Sequence, residues 1–278
     1  MNFKSIVKHI DSLPALSDVT LVVRKLYENG AENVNVSKLI QAIESDVILT
    51  ANILKMINSP MYGFSSTISS VSQAVTLFGT HMVYGLVVRY SIESVLIANL
   101  RAYGVSNQLF NDISHMQSNL MREWYSKIDM QNTPFLASLT LIMESGKLVV
   151  AQEVTAAGNI KSFAAGLSNA DNIIEYENSI FGSSSYYVSG LLFEHWNFDT
   201  NYVDMLKGLD YEHEAISELG TFIDALDVVR TAVNIKSLFT ENSIDDAADI
   251  VHEMGLNVND FIDAAHKIKE NYLLSQSA

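Results

Sequence analysis

Apolar side chains recur three and four residues apart along most of this 278-residue chain, and only three prolines stand in the way of long helices. The stretch 17–29 shows the pattern clearly: Val19, Val22, Val23 and Leu26 share one stripe, with Ser17 as N-cap and Gly30 as stop. A second helix starts at Asp46 and carries Ile48, Leu49, Ile53, Leu54 and Ile57. Asn58-Ser59-Pro60 ends it, because proline pushes the residue before it out of helical geometry, and Gly63 supplies the bend that follows. Further helices are expected over 70–78, stopping at Gly79, then over 81–100, 106–127 and 133–154. Shorter ones follow at 171–181, 184–194 and 201–208, and the chain closes with helices at 215–239, 243–254 and 258–274. The stretch 158–169, rich in Gly, Ala and Ser, reads as a loop or a short helix.

No sustained two-residue alternation occurs, so the expected fold class is all-α and multi-helical. Arg101-Ala102-Tyr103-Gly104 separates two strong helices, and acidity rises from about residue 199. The chain is therefore divided into an N-terminal helical half (1–104), a helical core (105–210) and C-terminal acidic helices packing on that core (211–278).

Composition narrows the function. With 48% apolar and 18% charged residues the chain is globular rather than disordered, and without cysteine it has neither disulfides nor thiolate metal sites. The net charge of −15 argues against nucleic acid as a direct partner. From Asp199 onward there are 5 Lys/Arg against 16 Asp/Glu, so this end carries −11 of the total. That acidic face is read either as a surface for a basic partner or as plain solvated helices. The two most apolar stretches, 82–98 and 135–151, hold Arg89 and Glu93, and Glu144 and Lys147, which suits core helices better than membrane spans. The first residues lack the apolar run of a secretion signal, so the expected location is the cytoplasm.

Ordered fragments in the first hundred residues carry a family resemblance. Leu13-Pro14, then Asp46 with Leu49-Thr50-Ala51 and Leu54, then Asn58-Ser59-Pro60-Met61-Tyr62-Gly63, then Ile68 and Ala74-Val75-Thr76-Leu77-Phe78-Gly79 together resemble the HDOD family, the HD-related output domain. The likeness continues more faintly through His115, the stretch 141–150, Gly182, and Leu191-Leu192 with His195-Trp196. It implies an HD-like helical core behind an added N-terminal helical half, in a bacterial signal-transduction protein that serves as an output or adaptor domain.

The resemblance also says where an HD hydrolase would keep its metal, and what stands there instead. No His-Asp dipeptide occurs; aligned on Gly146, the pair's positions hold Met143 and Glu144. Methionine is a poor ligand for hard cations, and the metal is what makes bound water nucleophilic in such enzymes. Ser183-Ser184-Ser185 stands where a later histidine would fall, Leu209-Asp210 where a His-His pair can occur, and Asp224 or Asp227 at the final aspartate. Of the set, His115, Glu144 and one aspartate remain. The expectation is a degenerate site at His115, Met143, Glu144, Ser185 and Asp224, with no catalytic residue, no metal and no cofactor.

No two of the seven histidines are three or four apart, and phosphate-cradling, dinucleotide and nucleophile-elbow motifs are missing. Glu212-His213-Glu214, the densest ligand cluster, is read as a solvated helix start. The signature turn Asn58, Ser59, Tyr62 and Gly63 has two readings. It can be a recognition loop, with Tyr62 offering a flat amphipathic face, or a structural element in which Asn58 and Ser59 satisfy helix-end carbonyls.

The sequence thus leads to a non-catalytic signalling module that binds a protein partner, with room for a small regulatory ligand between its halves. The alternative is a metal-dependent phosphohydrolase of nucleotides or cyclic dinucleotides with an unorthodox ligand set.

Overall fold

Short polar side chains fix where the helices begin. The computed structural model describes residues 1–59, 62, 66–210 and 217–277. Within them Asn2, Ser17, Asn35 and Asp46 cap the first four helices, α1 (Phe3–Asp11), α2 (Asp18–Tyr27), α3 (Val36–Glu44) and α4 (Val47–Ile57). Ser70 caps α5 (Val71–Val95), and Ser106 caps α6 (Asn107–Tyr125). Then come α7 (Thr133–Thr140), α8 (Gly146–Ala156), α9 (Ile160–Asn169), α10 (Ile173–Phe181), α11 (Ser185–His195) and α12 (Thr200–Gly208). The chain ends with α13 (Gly220–Ala232), α14 (Glu241–Glu253) and α15 (Val258–Gln276). Among the described residues the only β pairing is one isolated bridge, Val233 to Leu238, so the all-α expectation is met.

Two of these helices, α1 and α3, are additions to the expected set although both carry the helical period, Phe3, Ile6, Val7 and Ile10 in one and Val36, Leu39, Ile40 and Ile43 in the other; each buries two of them, Ile6 and Ile10, and Leu39 and Ile43. The stretch 158–169 resolves in favour of a helix, α9. Gly79 breaks α5 as expected, with φ +79°, but the helix resumes directly beyond it. Along its middle α5 is buried all round, from Met82 to Arg89. It is also the one described helix long and apolar enough to cross a membrane, and 61% of its most apolar window lies inside the fold. The elements packed on it are α2, α3, α4 and α7.

Two expected helices are shorter than the sequence suggests. The stretch 133–154 is α7 and α8, joined by a tight turn over 141–145 in which hydrogen bonds close over three residues: Ile142 N to Leu139 O, Ser145 N to Ile142 O and Lys147 N to Glu144 O. Residues on both sides of the turn are buried, so apolar period carries no mark of it. Of the stretch 215–239, the described part from 217 gives a 3-10 turn at Ser217–Leu219 and then α13. Beyond Ala232 the backbone turns through the 233–238 bridge and reaches Phe239 at φ +52°.

Gly146 is required where α8 crosses α11. A Cβ there would fall 1.9 Å from Ser185 O and 2.6 Å from Ser189 N, and its own N–H donates to Ser189 Oγ at 2.7 Å. The C-terminal α15 closes over α6, where Phe261 meets the buried Trp124 edge-on at 5.5 Å.

Candidate functional site

The turn over 141–145 aims Glu144 into the interior, where the space is already filled by a lysine. Lys147 lies one turn further on and is fully buried, and its Nζ stands 2.5 Å from Glu144 Oε2, whose side chain is 1% exposed. Two further donors converge on the other oxygen: Gln117 Nε2 at 2.8 Å and the Tyr186 hydroxyl at 2.9 Å. Burial alone would push the Glu144 carboxyl up. The Lys147 ammonium, and then the hydrogen bonds from Lys147, Gln117 and Tyr186, outweigh burial and hold it below the ordinary carboxylate range.

The ammonium is enclosed from other sides as well. It donates to Ser185 Oγ at 3.0 Å and sits 4.1 Å from the centre of the Tyr186 ring, whose surroundings also include the Arg230 guanidinium at 4.6 Å. A second carboxylate, Glu177, takes the Ser185 N–H at 2.6 Å and the Tyr103 hydroxyl at 2.7 Å. Here burial wins over the nearby Lys147, and the Glu177 carboxyl is raised. The pair of glutamates is thus driven in opposite directions around one lysine.

His115 belongs to a different environment. Gln117, two residues along α6, points to Glu144; two residues turn a helix by about 200°, so His115 faces the opposite side. Its Nδ1 lies 2.7 Å from the Tyr62 hydroxyl. Burial and then the Arg89 guanidinium push the imidazole down to about 3, while burial raises the Tyr62 phenol. Tyr62 therefore donates and the neutral Nδ1 accepts. Arg89 is held in turn by Leu141 O at 2.5 Å, Asn111 Oδ1 at 2.6 Å and Glu93 at 3.0 Å.

The remaining expected positions scatter. Met143 is core, and its carbonyl accepts the Ser189 hydroxyl at 2.8 Å. Ser185 opens α11 inside the lysine cluster. Asp210 takes the Ser184 N–H at 2.8 Å, which ties the start of α11 to the end of α12. Asp224 is exposed on α13, and Asp227 pairs with Arg230 at 2.6 Å. Of the degenerate set, then, the structure brings together Glu144, Ser185 and the backbone of Met143, and sets His115 and Asp224 apart. Among the described residues no three His, Asp or Glu side chains gather as metal ligands. Glu212-His213-Glu214 lies outside the described residues.

In the signature turn, Asn58 joins the end of α4 to Ile68, just ahead of α5. Its Nδ2 donates to Leu54 O and Ile68 O, and its Oδ1 accepts the Ile68 N–H, all at 2.8 Å. Ser59 N donates to Met56 O at 3.0 Å, and Tyr62 packs edge-on to Phe78 at 5.1 Å. Gly63 is outside the described residues. Asn58→Ala is expected to lower stability by about 1–3 kcal/mol, since it takes the side-chain partner from the buried N–H and C=O of Ile68, while Leu54 O keeps the backbone N–H of residue 58. Urea unfolding of the variant beside wild type measures it. Two distant fragments of the resemblance also meet: Trp196 Nε1 donates to Pro14 O at 3.0 Å, and His195 Nε2 lies 3.3 Å from Leu13 O.

Comparison with known proteins agrees with this architecture. The HDOD domain model matches residues 13–211. No protein of curated function matches the chain. Among solved structures, a Shewanella amazonensis SB2B protein provisionally named a phosphohydrolase aligns at TM-score 0.73 and 15% identity, over 98% of this chain and 97% of its own. An HDOD protein of unknown function from Geobacter sulfurreducens aligns at TM-score 0.64 and 14% identity, covering 96% and 98% of the two chains. A Marinobacter aquaeolei VT8 protein provisionally named a signal transduction protein aligns at 0.70 and 17%, over 99% of this chain and 61% of its own. At these identities the likeness is one of fold. The family match spans well over half the chain, and this protein belongs to the HDOD family.

Proposed function

We propose that the chain is a signalling output module of the cytoplasm that acts by binding a protein partner and does not hydrolyse phosphate esters. The observation that carries this reading is the engagement of Glu144 by Lys147. An ammonium group fills the space beside the one carboxylate at the HD-pair positions, and a divalent cation placed there would meet a fixed positive charge instead of a ligand. Met143 offers no hard donor, His115 faces Tyr62, and Ser185 Oγ accepts a hydrogen bond from the lysine ammonium. The donor set does not fit a catalytic metal, and no step of water activation is derived through one. The family match and the signalling name given to the Marinobacter protein favour the output role.

Purified protein supplied with Mn²⁺, Fe²⁺ or Mg²⁺ is expected to turn over neither phosphomonoesters nor cyclic dinucleotides. Affinity capture from the native host, followed by mass spectrometry, is expected to return one protein in stoichiometric amount. Metal-dependent turnover that disappears in Glu144→Gln would replace this reading with the phosphohydrolase suggested by the name of the Shewanella protein.

A further inference from the structure

Away from the lysine cluster, five aromatic side chains from four helices close into a ring. Tyr27 of α2 stacks on Tyr84 of α5 with centroids 4.3 Å apart, and Tyr84 meets Tyr202 of α12 at 6.4 Å. Tyr202 packs edge-on to Phe135 of α7 at 4.8 Å; Phe135 meets His81 at 6.1 Å, and His81 returns to Tyr27 at 6.2 Å. All five line one cavity of about 440 Å³, a size suited to a small molecule.

The electrostatics of this cavity favour a cation. Two exposed carboxylates, Glu28 and Asp199, stand in its wall, and a third, Glu32, acts on His81. The one basic side chain in the wall, Arg24, donates to Trp196 O. Burial lowers the His81 imidazole, which therefore stays uncharged at neutral pH and does not repel a positive group. Its Nδ1 is buried with no protein partner. Aromatic faces carry negative potential, and rings surrounding a desolvated ammonium attract it more strongly than water-exposed ones do.

We propose that this aromatic cavity binds a small organic cation bearing a methylated ammonium head. The ring draws on α2 and α5 on one side and α7 and α12 on the other, so an occupant would tie these helices together. The site extends the signalling role proposed above but is measured on the isolated chain, so its failure would leave partner capture untouched.

The test titrates the full chain by calorimetry with choline and tetramethylammonium, and with 3,3-dimethylbutan-1-ol as the neutral isostere. Both cations are expected to bind at least tenfold more tightly than the alcohol. Phe135→Leu should weaken choline binding roughly tenfold, in line with the loss of one desolvated ring. The charge variant E28Q/D199N should weaken it several-fold while preserving the fold, because both positions are exposed and asparagine keeps the cap that Asp199 gives to α12. Equal affinity for cation and alcohol, or unchanged choline binding in both variants, would overturn the proposal.

Discussion

Lys147→Met is expected to destabilise the protein by about 3–5 kcal/mol, the cost of breaking a buried ion pair by removing one partner. Methionine matches the volume of the lysine stem, so the effect isolates the ammonium. Without it, Glu144 keeps the Gln117 and Tyr186 donors but loses the ammonium 2.5 Å away, in a place that solvent does not screen. The double variant E144Q/K147M should recover much of the loss, since a neutral amide no longer needs a cation. Urea unfolding midpoints of the two single variants and the double variant measure this. A Lys147→Met loss below about 1 kcal/mol would mean that the pair is not the keystone its burial makes it.

Acidification provides the second large effect. His115 titrates at about 3 in the folded chain against an ordinary value of 6.5. Between these values the unfolded chain binds a proton that the folded one refuses, so stability falls as pH drops below about 6.5. The loss from this residue is about 1.4 kcal/mol per pH unit, and between pH 6 and 4 it reaches roughly 3 kcal/mol. His81 is also lowered and adds in the same direction. The carboxyl of Glu144, held below its ordinary range, adds a further loss only at more acid pH. Unfolding free energies of wild type and His115→Gln at pH 6, 5 and 4 test it, because glutamine can still accept from Tyr62 but takes no proton. The variant's slope should be shallower by about 1.4 kcal/mol per unit; equal slopes would show that His115 protonates freely in the folded state.

Much of this was readable before the structure. Caps at Ser17 and Asp46 and the break at Gly79 all follow from local chemistry that neighbours do not override. The turn between α7 and α8 was hidden, because the period of buried residues runs unbroken through Leu141, Ile142 and Met143. The centre of the site was also in view. Glu144 and Lys147 are three residues apart in an otherwise apolar stretch, a spacing that lets side chains meet on a helix. With Glu144 read as a remnant of a metal site and Lys147 only as a mark against a membrane span, the pairing that burial forces on these two charges went unseen. His115 was named but not its company, since its partner Tyr62 is 53 residues away and no local pattern links them. The five-membered aromatic ring draws on residues from Tyr27 to Tyr202, and only the packing of α2, α5, α7 and α12 brings them together.

The most direct test is elemental analysis of the purified chain after anaerobic loading with Mn²⁺ or Fe²⁺ and desalting, in wild type and in Lys147→Met. If the lysine ammonium occupies the place a cation would need, wild type retains far less than one ion per chain. One tightly held ion per wild-type chain, lost in Glu144→Gln, would contradict the account.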